Sequence, residues 1–106
     1  MTVIVPHNKT RAEAIATIDQ AADSLFSGIA GDSVQIVDEK KAWSGSTMTF
    51  SFTGSLGFIE VPISGTIDVD DHNVTVNCAL PAMVEQFLGE GKIQSEIDRK
   101  VRGVLA

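Results

Sequence analysis

The sequence predicts a two-layer α+β sandwich: an antiparallel sheet of four or five strands with two helices on one face, in the order β-α-β-β-β-β-α. Three observations lead there. Apolar residues recur three and four apart from Ala14 to Phe26 and again from Ile93 to Leu105, as in helices with one buried stripe. Between these segments, from Ser33 to Leu80, the apolar period falls to two. The strands so implied are joined by connections short enough for antiparallel hairpins. Only one face of each strand is apolar, so the helices must cover that face and leave the other to water or a partner.

The elements follow in order. Thr2 to Val5 are β-branched, and Pro6 disfavours helix at the residue before it, giving a short first strand. Thr10 and Glu13 have the spacing of a capping box, so a helix begins there. Ala14, Ile15, Ile18, Ala21, Ala22, Leu25 and Phe26 form its stripe, and Gly28 to Gly31 supply its end. Val34 and Ile36 open the strand region, a Ser44-Gly45-Ser46 turn follows, and Met48, Phe50 and Phe52 alternate with Thr47, Thr49, Ser51 and Thr53. The next strand sets Ile59, Val61, Ile63, Ile67 and Val69 against Glu60, Ser64, Thr66 and Asp68, with Pro62 pointing to a sheet edge. Asp70 to Asn73 is a turn, and Val74, Val76, Cys78 and Leu80 make the last strand. Pro81 suits a helix start, Met83, Val84, Phe87 and Leu88 give an apolar face, and Gly89 and Gly91 predict a break before Ile93.

Composition bounds the function. The chain of 106 residues is long enough for one core and too short for two, so a single domain over 1–106 is expected. A net charge of −6 repels a phosphate backbone and argues against nucleic acid. No apolar run approaches the roughly 20 residues of a membrane span, and Met1 to His7 lack the features of a secretory signal, so a cytoplasmic location is expected. The lone Cys78 allows no internal disulfide.

No residue pattern calls for catalysis, a cofactor or a metal. His7 and His72 read as solvated loop histidines, with no triad or Cys-His pattern around them. Asp70, Asp71, His72 and Asn73 have metal-ligand side chains, but they are contiguous and are the residues a tight turn prefers. Cys78 falls on the apolar phase of its strand and reads as core. Gly54, Gly57 and Gly65 lack the spacing of a phosphate loop. Trp43, Leu56 and Phe58 fall beside turns or off the apolar phase, which makes them the candidate apolar contact patch if the fold gathers them; otherwise they cap the end of the sheet.

The Pro6-His7 opening ahead of Glu13-Ala14, the Ser64-Gly65-Thr66-Ile67 strand, the Leu80-Pro81 junction and the Ile93-x-x-Glu96-Ile97 pattern together resemble the putative polyhydroxyalkanoic acid system family. The resemblance covers nearly the whole chain. It implies association with polyhydroxyalkanoate granules or their gene neighbourhood, and no established activity. The expected function is therefore a non-catalytic accessory protein that binds a hydrophobic granule surface or a granule protein, and a homo-oligomer is compatible with it. The alternative is a small carrier holding an acyl or lipid-like ligand between the sheet and the C-terminal helix, where Gly89 and Gly91 would let the helix bend. An enzyme would need paired titratable groups in a pocket and ranks last.

Overall fold

In a computed structural model, which describes residues 1–30, 35–79 and 90–106, strand β1 (Thr2–Pro6) leads into helix α1 (Arg11–Gln20) through the expected capping box. Thr10 Oγ1 accepts from the Glu13 amide at 3.2 Å, and Glu13 Oε1 accepts from the Thr10 amide at 3.4 Å. The periodicity predicts one helix here, whereas the structure has two, α1 and α2 (Ala22–Ala30), separated by a turn at Ala21. The Ala21 and Leu25 amides still reach back four residues, so the helical path bends at Ala21 and does not end there. At the bend, Lys41 Nζ donates to the Asp19 carbonyl at 2.9 Å. A side chain bonded into the backbone ladder in this way is a recognised cause of a kink.

Strands β2 (Gln35–Ser44), β3 (Thr47–Leu56), β4 (Ile59–Val69) and β5 (Asn73–Ala79) form a meander, and β1 pairs antiparallel with β5 to complete the order β1-β5-β4-β3-β2. Gly45 (φ 61°) and Gly57 (φ 74°) take the left-handed backbone that the two tight turns need. Pro62 pairs with Thr53 of β3, while the ladder with β5 begins only at Ser64 opposite Ala79. Among the described residues, then, Pro62 lies in a stretch of β4 with a neighbour on one side, as its missing amide predicts.

The last helix, α3 (Glu90–Leu105), runs through Ile93 without interruption, with Gly91 in its first turn. The predicted elements at Val34, Leu80, Pro81, Met83, Val84, Phe87, Leu88 and Gly89 lie outside the described residues. The three helices of the described residues cover the same face of the sheet. Their buried Ala14, Ile18, Ala22, Leu25, Phe26, Ile97, Val101 and Leu105 join Val3, Val5, Met48, Phe50, Phe52, Val61, Ile63, Ile67, Val69, Val74, Val76 and Cys78 in one core. Ile59, at the end of β4, departs from the expected set and is exposed. Phe26 sits against Phe50 and Phe52, with ring centroids 5.0 and 5.3 Å away.

Candidate functional site

The three residues of the candidate apolar patch, Trp43, Leu56 and Phe58, are placed at two ends of the sheet. Trp43 faces Met48 beside the β2–β3 turn, whereas Leu56 faces Ile59 at the opposite end of β3, with Phe58 in the turn beyond it. From Met48 to Leu56 an extended strand runs about 26 Å, at roughly 3.3 Å per residue. Trp43 is on the helix-covered side, packed against the core, and its indole N–H donates to Asp19 Oδ1 at 2.9 Å. The same carboxylate pairs with Lys41 at 3.0 Å. The Trp43 bond, and after it the Lys41 bond, hold the Asp19 carboxyl below its ordinary range. Trp43 thus caps the sheet. Phe58 is 96% exposed, a full phenyl ring in water; the Leu56 side chain lies outside the described part of the structure.

His7 overturns the expectation of a solvated loop histidine. It is buried, its backbone amide donates to the His72 carbonyl at 2.9 Å, and its ring Nε2 lies 2.8 Å from the Asp70 carbonyl. Its Nδ1 accepts from the Lys9 amide at 3.2 Å. A carbonyl on one side and an amide N–H on the other require the neutral tautomer protonated at Nε2. Asp70 in turn accepts from the amides of His72 and Asn73, at 2.8 and 2.6 Å, and these bonds hold its carboxyl below the ordinary range. Asp71 pairs with Arg11. The Asp70–Asn73 segment is thus a turn, as expected, and His7 ties β1 to it. The signal in sequence was only Pro6-His7 itself; the turn it reaches lies more than sixty residues away.

Cys78 is core, and burial pushes its thiol up to about 11, away from nucleophilic use. Across the α2–β2 gap, Glu39 is hydrogen-bonded to Asp23, which raises the Glu39 carboxyl. Among the described residues no group of three or more His, Cys, Asp and Glu side chains could hold a metal ion.

Sequence reasoning left the second face of the sheet to water or a partner without singling out a site on it, and none of the described helices covers that face. Strand alternation and register place Thr49, Thr66, Asn77 and Thr2 in one row across β3, β4, β5 and β1, and Ser51 beside Ser64 in the next. Thr2 donates to Asn77 Oδ1 at 2.7 Å and Thr47 donates to Asp68. The hydroxyls of Thr49, Ser51, Thr53, Ser64, Thr66 and Thr75 have no partner among the described residues. At one side of this face β2 bulges: its register slips between Val37 and Lys40, and Asp38 takes a left-handed backbone (φ 54°). A shallow hollow of about 340 Å³ opens there, lined by Asp38, Lys40, Ser51, Thr53, Pro62 and Ser64.

Fold and surface together define a small α+β protein with one helix-covered sheet face and one face, rich in hydroxyls, that none of the described helices covers, bearing an exposed phenyl ring at a turn. The family described as putative polyhydroxyalkanoic acid system protein matches residues 1–105, and the chain belongs to that family. No curated protein and no solved structure matches it. No helix among the described residues is long and apolar enough to cross a membrane.

Proposed function

We infer that this protein is a non-catalytic accessory protein of polyhydroxyalkanoate storage, acting in the cytoplasm, that attaches to the hydrophobic granule surface or to a protein of its coat. The observation that carries the reading is membership of the polyhydroxyalkanoic acid system family over residues 1–105. Phe58, fully presented at a turn, supports an apolar mode of attachment. With a net charge of −6, attraction to an anionic surface or to nucleic acid is disfavoured, which favours contact with an uncharged surface or a protein partner.

The carrier alternative is the weaker one. Where an acyl chain would lie beside Phe50, Phe52 and Ile97, these residues are buried and Phe26 fills the space between the rings; Phe87 lies outside the described residues. The hollow between β1 and α3, about 430 Å³, is lined by Thr2, Gln94, Ser95 and Asp98 among others, polar company for a lipid tail.

The test is sedimentation of the protein with isolated granules at low and at 1 M salt. Binding should survive the salt, and Phe58→Ser should weaken it roughly tenfold, the equivalent of about 1.4 kcal/mol of lost apolar contact. Failure of the wild type to sediment with granules would end the reading.

A further inference from the structure

We propose that the bare face of the sheet, centred on the hollow beside the β2 bulge, binds an extended segment of aliphatic polyester through its ester carbonyls. The inference rests on the accessory reading above and names the partner that this face fits. In a chain that is 21% charged, the side chains Thr49, Ser51, Thr53, Pro62, Ser64, Thr66, Thr75 and Asn77 form a central run of uncharged groups, bordered by Asp68 opposite Thr75 and by Asp38 and Lys40 at the hollow. Six of them are hydroxyls with no partner among the described residues. Lys40 adds an ammonium at the rim, and it too has no ion-pair partner among the described residues.

Such a surface selects its ligand by what it offers. A polyester is neutral, carries a carbonyl acceptor in every repeat, has no donors and fills the remaining space with methylene and methyl groups. The face supplies hydroxyl donors for the carbonyls, and threonine methyls and the Pro62 ring for the aliphatic parts. Donors recur about 4.8 Å apart from strand to strand and about 6.6 Å apart along each strand, a lattice suited to a repeating chain more than to a single small molecule. A polyanion would ask for several cations where Lys40 stands alone in the hollow's lining, and a sugar would ask for an aromatic platform, which these side chains do not include.

The test uses the full chain and protein-free particles of poly(3-hydroxybutyrate), with polyethylene particles as an aliphatic surface lacking carbonyls. The triple variant T49V/S64A/T66V removes three hydroxyls with little change of shape and makes the face more apolar. The expected result is binding to the polyester, at least fivefold weaker binding to polyethylene, and at least a fivefold loss on the polyester for the triple variant. A variant that binds as well as the wild type or better would overturn the proposal, since simple apolar adhesion would then suffice. Wild type that binds native granules but not protein-free polyester would also overturn it while sparing the accessory reading, whereas failure on both would remove the two together. A wild-type dimer that the variant abolishes would assign the face to a second copy. Should the triple variant not fold, amide shifts of the wild type on titration with a soluble 3-hydroxybutyrate oligomer decide the matter: shifts confined to residues 49–53 and 62–66 support the site, and shifts elsewhere refute it.

Discussion

Gly65 lies directly beneath the ring of Phe50: a methyl group placed on Gly65 would stand 2.9 Å from Phe50 Cζ and would overlap the carbonyl oxygen of Asn77 on the neighbouring strand. The two residues face each other across β3 and β4, so the missing side chain makes room for the buried ring. Gly65→Ala should therefore destabilise the protein by about 3 kcal/mol, the upper part of the usual cost of overpacking. Shortening the ring in a Gly65→Ala, Phe50→Leu double variant should recover little, because the clash with the Asn77 backbone persists. Urea denaturation of the two variants checks this, and a near-wild-type midpoint for Gly65→Ala would refute it.

The aromatic contacts give a second expectation. Phe52 is buried against Phe26, with ring centroids 5.3 Å apart, so Phe52→Ala should cost about 3 to 5 kcal/mol. Phe58→Ala removes the same ring from water and should change stability by no more than about 0.5 kcal/mol. Thermal denaturation of the pair separates core from surface.

His7 should behave as a structural tie. His7→Ala leaves the Asp70 carbonyl and the Lys9 amide without their partner and should cost about 1 to 3 kcal/mol. Imidazole nitrogen shifts should report the tautomer protonated at Nε2; the other tautomer would contradict the bonding described here.

The carboxylates set the pH dependence. Asp19, Asp70, Asp71 and Glu13 are held below their ordinary values by hydrogen bonds to the charged form, so each contributes stability above its unfolded value and loses it as pH falls through the lower folded value. Glu39, raised by Asp23, acts in the opposite sense, its contribution complete below its unfolded value and lost as pH rises through the higher folded one. Stability should fall below about pH 4, and Asp70→Asn should flatten that fall. Glu39→Gln should raise the denaturation midpoint at pH 7, where two carboxylates otherwise repel, and leave the midpoint at pH 4 nearly unchanged.

Local pattern determined much of this protein. The capping box at Thr10 and Glu13, the alternation of Met48, Phe50 and Phe52 with threonine and serine, the Asx turn at Asp70 and the edge position of Pro62 all follow from interactions a few residues long, and they place the core face and the helix stripes. What they could not supply is register and distance between segments remote in the chain. Only the fold put Trp43 and Phe58 at opposite ends of β3, buried His7 against a turn near residue 70, bent the first helix where Lys41 reaches the Asp19 carbonyl, and left the hydroxyls of β3 and β4 side by side on a face that none of the described helices covers. A residue's own type and phase say which side of its strand it occupies; which residues stand next to it there depends on strand pairing and helix docking, set by the collective burial of one core.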